Sequence, residues 1–188
     1  SFFGGISMQA QPNEACQMAQ CHVNTLSLNT GFDHINGTTF PVGSADPFWT
    51  LTTTPDPSVS VPRPASVVSP VAGWMNQTNT GWLSAYPKAA FNSNNPLPAL
   101  PYTFEACFCV CEDNTNVTID LSAAADNNLN MLLCDAAGTN IQNLLAITST
   151  TSSAFTAATT SSTPVTLNAG QYCIKAEVRN LSGVAMGF

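Results

Sequence analysis

The run YTFEACFCVC, residues 102–111, sets Cys107, Cys109 and Cys111 at alternate positions, on the opposite parity from Tyr102, Phe104, Ala106, Phe108 and Val110. In an extended chain successive side chains point to opposite faces. With the apolar set facing a core, the three sulfurs line the outside of the strand. The same period of two recurs downstream. Val117, Ile119 and Leu121 share a face, as do Leu129, Met131 and Leu133. Tyr172, Ile174, Ala176 and Val178 point inward between outward Lys175, Glu177 and Arg179. Turn chemistry separates these runs at Glu112-Asp113-Asn114, Asp126-Asn127-Asn128, Asp135 to Gly138 and Asn168-Ala169-Gly170. Apolar spacing of three to four, the mark of helices, is nearly absent.

These signals predict an all-β fold: a two-sheet antiparallel β-sandwich of jelly-roll or Greek-key type, with an extended N-terminal strand segment. Residues 1–23 read as an N-terminal extension and residues 24–188 as the sandwich domain. The Pro-rich stretch 41–101 reads as long loops and edge strands. Thr148 to Thr163, a Ser/Thr/Ala tract, reads as a solvated loop or a flat strand with weak register.

Parity places Cys134 and Cys173 outward as well, opposite to Met131, Leu133, Tyr172 and Ile174. Facing residues on adjacent antiparallel strands lie about 4.5–5.5 Å apart at Cα, within the span of a disulfide. Bridges from Cys134 and Cys173 to two members of the trio are the simple expectation. Neighbours on one strand face, about 6.6 Å apart or more, should not pair. Cys16 and Cys21 either close a small loop or supply a staple from the N-terminal segment to the outer face or to another chain. Zinc is the competing use of thiols, but alternating strand positions make a poor chelate.

Four basic and eleven acidic residues give a net charge of -7 and only 8% charged positions, against about 25% in ordinary soluble domains. Ser, Thr and Asn fill 57 positions instead. Without a basic patch to neutralise phosphates, nucleic acid is excluded as a partner. No apolar run reaches the roughly 20 residues of a membrane span. Seven cysteines point to an oxidising compartment, extracellular or at the cell surface. Sequons at Asn36, Asn76, Asn116 and Asn180 permit glycosylation.

No catalytic machinery is expected. His22 and His34 are the only histidines, and no Gly-x-Ser-x-Gly elbow occurs. Carboxylates beside Asn read as turn residues rather than a glycosidase pair. No cofactor is expected, and no metal site is assigned. Calcium is the ion that oxygen ligands from Asp113, Asn114, Asp120 or Asp126 could take. Trp49, Trp74, Trp82 and Tyr86, with Phe91, could form a platform for sugar stacking, against their commoner use as core anchors.

The phrases SADPFWT, AGWMNQTNTGWLSAYP, YTFEACFCV, the turn at Asp126-Asn127 and AGQYCIKAEVRNLSGVAMGF resemble, as a series over residues 40–188, bacterial extracellular β-sandwich domains of cell-surface and matrix proteins. The resemblance implies a sandwich fold and export, and it carries no catalytic residue across. Ser1 to about Val23 has no counterpart in it. Near one end Ile6 and Met8 alternate with polar residues after Phe2 and Phe3, and at the other the sequence stops on Phe188. Such ends should be held by the chain's own sheet or by a neighbouring copy. The leading expectation is a structural subunit of an extracellular filament, pilus-like fibre or surface layer. Ile6 and Met8 would anchor an added strand, with Phe2, Phe3 and Phe188 as further assembly contacts. The alternative is a carbohydrate-binding module or adhesin domain, with glycans as partners.

Overall fold

A computed structural model of the chain describes residues 26–34, 36–88, 100–148, 153–181 and 185–188. Among the described residues eleven strands run in chain order: β1 (Phe32–Asp33), β2 (Thr38–Thr39), β3 (Ala45–Thr53), β4 (Arg63–Val68), β5 (Trp82–Ser84), β6 (Tyr102–Val110), β7 (Thr115–Ala123), β8 (Asn128–Asp135), β9 (Asn140–Ile147), β10 (Thr159–Leu167) and β11 (Gly170–Arg179). One short helix, α1 (Ser153–Thr156), precedes β10. The fold is the expected antiparallel β-sandwich. No helix among the described residues is long and apolar enough to cross a membrane.

One sheet has seven strands in the order β5-β4-β3-β6-β11-β8-β9. The facing layer has only two, β10 and β7, paired along nine residues from Thr159↔Ala123 to Leu167↔Thr115. The Ser161 hydroxyl donates to the Leu144 carbonyl at 2.7 Å. This contact seats β10 over β9 and leaves β7 as the inner strand of the small sheet.

The core lies where period-two patterning put it. Tyr102, Phe104 and Ala106 on β6, Leu129 and Leu133 on β8, and Ala176 and Val178 on β11 are fully buried. Val117, Ile119 and Leu121 on β7 face this core and are only half-buried. Within the Ser/Thr/Ala tract, Ser153–Thr156 form α1 and β10 begins at Thr159.

One expectation for the middle of the chain needs correction. β3 is not an edge strand, because β4 and β6 flank it on both sides. It tolerates Pro47 because the β3–β4 register shifts between Ala45 and Thr50, and a bulge is one of the few places where a sheet accommodates a residue without an N–H. There the buried Asp46 carboxylate accepts backbone N–H bonds from Gly31, Phe48 and Trp49 at 2.7–3.1 Å.

Phe188, expected as an assembly contact, packs inside the chain's own core. It is 7% exposed, and Met186 is fully buried. Phe188 exchanges both backbone hydrogen bonds with Leu83, at 2.9 and 3.1 Å. Its ring meets Phe104 at 4.9 Å and Trp49 at 5.4 Å between centroids. Gly187 permits this path, since a Cβ there would lie 2.9 Å from the Trp74 ring. Phe2, Phe3, Ile6, Met8, Cys16 and Cys21 lie outside the described residues.

Candidate functional site

Beyond the edge of β7 that has no strand partner among the described residues lies an open cleft of about 880 Å³. Its floor is core surface: Trp49, Phe108, Val110, Met131, Ile174 and Phe188, with Val117, Ile119 and Leu121 along the β7 wall. The other side carries Asn29, Thr30, Thr80 and Trp82, and Gln77 donates to the Ser122 hydroxyl on β7 at 3.2 Å. Gly31 and Gly81 bring that other side together. Gly31 has a φ of 60°, and a Cβ on it would stand 2.7 Å from the Gly81 Cα, so only glycine fits. Across that contact Thr30 donates its hydroxyl to the Gly81 carbonyl at 2.7 Å, and the Gly81 N–H returns a bond to the Thr30 carbonyl at 2.6 Å.

Among the described lining residues no side chain is basic, and the acidic ones are Glu112 and Asp120. Asp120 already accepts the Ser162 hydroxyl at 2.6 Å. The cleft therefore offers apolar surface, hydroxyls, amides and the backbone groups of a strand edge. Among the described residues β7 has one strand partner, β10. Thr118 stands opposite Pro164. Proline has no N–H to give, which suits a pair whose backbone groups point away from the shared ladder. By that register the Thr118 N–H faces the open edge.

Among the described residues the expected aromatics form no exposed platform, and Phe91 lies outside them. Trp49, Trp74 and Trp82 are 2%, 6% and 8% exposed. Each indole N–H is spent internally, on the Leu28 carbonyl, the Asp126 carboxylate and the Met75 carbonyl at 2.9–3.1 Å. Trp74 and Trp82 lie against one another with centroids 4.1 Å apart. Tyr86 is half-buried, donating to Asp56 at 2.6 Å with its oxygen 3.0 Å from that of Tyr102. Burial, followed by these bonds, raises the Tyr86 pKa, and the Tyr86 bond leads in lowering that of Asp56. These aromatics are anchors, as buried rings with one polar handle usually are.

The calcium ligands are not gathered either. Asp113 accepts the Ala169 N–H at 2.9 Å before the start of β7, whereas Asp126, past its other end, accepts from Trp74. Burial raises the pKa of Asp126 and of Asp46. His34 packs edge-on against Phe32 at 5.1 Å. Burial lowers its pKa against the opposing charges of Asp33 and Asp46.

The cysteines form a rung across three strands. Cys173 on β11 stands opposite Cys107 on β6 and opposite Cys134 on β8. Cys107 and Cys173 are joined by a disulfide, with Cα atoms 3.9 Å apart. Cys134 is a free, buried thiol, which corrects the expectation that it too bridges to the trio. β11 separates β8 from β6, so the only sulfur facing Cys134 is already taken. Burial is the main cause that pushes its pKa up. Glu105 lies within ligand distance of Cys107 and Cys173, but a disulfide holds no thiolate for a metal. Cys109 and Cys111 are disulfide-bonded as well. Of the sequon asparagines, Asn36, Asn76 and Asn116 are exposed and Asn180 is fully buried.

Period-two reading placed β6, β7, β8 and β11 around this cleft, but not β3 and β5 and not the cleft itself. Its one sequence sign is the spacing of three apolar side chains on β7, which predicts a half-covered strand without saying what covers it.

No protein-family model matches the chain, and no curated protein matches it. Among solved structures, a family 35 carbohydrate-binding module from Cellvibrio japonicus Abf62 is 15% identical, covering 65% of this chain and 76% of that one with a TM-score of 0.39. A second family 35 carbohydrate-binding module, from an environmental isolate, is 16% identical over 62% of this chain and 72% of its own, with a TM-score of 0.33. A Paenibacillus sp. cycloisomaltooligosaccharide glucanotransferase, complexed with cycloisomaltoheptaose, is 12% identical with a TM-score of 0.36; 84% of this chain aligns with 18% of that one. Likenesses at this level carry no argument about function.

Proposed function

We propose that the chain is a structural subunit of an extracellular assembly, and that the cleft beside β7 receives an extended strand from a second copy. The observation that carries this reading is the pairing of an open strand edge with an apolar floor. Along β7, nine residues or about 30 Å, backbone groups and the half-buried Val117, Ile119 and Leu121 are available together. Strand addition uses the two features jointly, main chain for affinity and alternate side chains for register. Residues 1–25 lie outside the described chain, and their alternating Ile6 and Met8 suit such a groove. A surface with 8% charged positions puts little repulsion between copies.

Removing residues 1–12 should leave a chain that melts cooperatively but stays monomeric in light scattering and electron microscopy. Assembly of the truncated chain to the same extent as the full chain would overturn the reading.

A second reading, a glycan-binding module, is favoured by the rim of Asn29, Thr30, Gln77 and Thr80 beside apolar floor. With no basic side chain among the described lining residues, its ligand would be a neutral sugar. Titration with neutral oligosaccharides, using fluorescence of the lining residues Trp49 and Trp82, tests it. A response unchanged by Gln77→Ala and Asn29→Ala counts against it.

A further inference from the structure

We infer that Cys134, Cys173 and Cys107 form an internal disulfide relay, in which the Cys134 thiolate displaces Cys107 from Cys173 and so moves the cross-link from β6–β11 to β8–β11. The three residues stand on one rung. Cys173 faces Cys107 on one side and Cys134 on the other, and β11 lies between β8 and β6. Parity turns all three side chains to the same face of the sheet. The free thiol therefore meets the central sulfur from the side away from the leaving one, as a displacement at sulfur requires. Facing pairs in antiparallel sheets lie about 4.5 or 5.5 Å apart at Cα, and a disulfide spans either.

The step balances without an oxidant. Cys134 gives its proton to solvent and its sulfur bonds to that of Cys173. The Cys107–Cys173 bond breaks, its electron pair goes to the Cys107 sulfur, and that thiolate takes a proton from solvent. Cys134 and Cys173 are 1% and 8% exposed, whereas Cys107 is half-buried. The relay thus trades a thiol closed to reagents for one within their reach. Burial raises the Cys134 pKa; the Lys175 ammonium opposes it, and Glu105, Asp135 and Glu177 add to it. Asn140, facing Cys134 from β9, is uncharged. Lys175 lies 3.6 Å from Glu105 on β6 and 3.9 Å from where a Cβ on Gly138, in the turn after β8, would stand. Exchange is therefore slow at neutral pH and quickens in mild alkali. β7 lies between Cys107 and Cys173 but outside the stretch from Cys134 to Cys173, so exchange releases the edge of the cleft from the covalent loop. The relay goes beyond the strand-acceptor reading and does not depend on it.

The test is prolonged treatment of the intact, oxidised chain with excess iodoacetamide in mild alkali without reductant, followed by Glu- and Asp-specific digestion. Cleavage after Glu105, Glu112 and Glu177 and before Asp113, Asp126 and Asp135 puts Cys107 in residues 106–112, Cys134 in 126–134 and Cys173 in 135–177. Brief labelling with N-ethylmaleimide in acid denaturant marks Cys134 in the starting material. Prolonged native treatment should shift the label to Cys107, with 126–134 joined to 135–177 and released only by reduction. The rate should rise about tenfold per pH unit while the thiol is mostly protonated, and level off as reagent is increased. Cys134→Ser should leave Cys107 unlabelled. Label on Cys134 with the Cys107–Cys173 bond intact, no label at all, or labelled Cys107 in Cys134→Ser would each overturn the inference. These readouts follow covalent state and not assembly, so their failure leaves the strand-acceptor reading standing.

Discussion

Phe188 lies edge-on against Trp49, ring centroids 5.4 Å apart and planes at 77°. The contact closes the large sheet's inner face from above, and the same ring reaches Phe104. Phe188→Ala is therefore expected to act as a core truncation, costing about 3–5 kcal/mol, with the Leu83 backbone bonds retained. Urea unfolding followed by tryptophan fluorescence measures it. A loss below about 1 kcal/mol would mean that the tail contributes little to the core.

Cys173 has two facing partners and can bond one. Removing Cys107 frees it, so Cys107→Ser should lose the 66-residue cross-link and, with oxidised glutathione reduced to two thiols as the oxidant, form a Cys134–Cys173 bond instead. Thiol mapping should show Cys134 protected in the variant and reactive in the parent. Because burial raises the Cys134 pKa, the new bond should form slowly at neutral pH and faster in mild alkali. Under reducing conditions the parent should lose about 2–4 kcal/mol.

Asp46 and Asp126 have folded pKa values raised above the unfolded one, chiefly by burial. Between the unfolded and folded values the folded state binds more protons, so their contribution to stability falls as pH rises through that window. Asp56, held low chiefly by the Tyr86 hydroxyl, works in the opposite sense: its contribution is lost as pH falls toward its folded value. Asp126→Asn keeps an oxygen for the Trp74 N–H and removes the buried charge. Thermal melts run from acid to neutral pH should show the variant as stable as the parent or more so at neutral pH, with a flatter profile. A variant losing stability at neutral pH would show that the charge itself is needed.

Thr118→Pro removes an N–H that the register against Pro164 directs to the open edge of β7. The variant should keep the parent's circular dichroism spectrum and lose most of its self-association, read by sedimentation velocity. Retained association with an intact fold would remove β7 from the interface.

Much of this architecture was legible because a period of two is unambiguous once cysteines and apolar residues take opposite parities. Strands β6, β7, β8 and β11 follow from it. The free state of Cys134 was not legible, since parity fixes a face and not the order of strands within a sheet. Trp49, Trp74 and Trp82 could be read as platform or anchor, because composition does not say where an indole N–H finds its acceptor. The central position of β3 was hidden by Pro47, whose missing N–H is absorbed by a local register shift. Phe188 looked like a loose end because nothing local reveals that Leu83 offers it a backbone partner.

The Cys107–Cys173 cross-link also has a mechanical meaning. Strands β7, β8, β9 and β10 all lie inside the loop it closes. Tension applied to the two ends of the chain passes from β6 to β11 through two sulfur atoms and bypasses everything between them. Stretched to its limit, the protein should fall short of its full contour by at least roughly 220 Å, the length of the 66 residues this bond bypasses at extended-chain spacing. The edge of β7 would thus be insulated from a pull that strips the rest of the sheet.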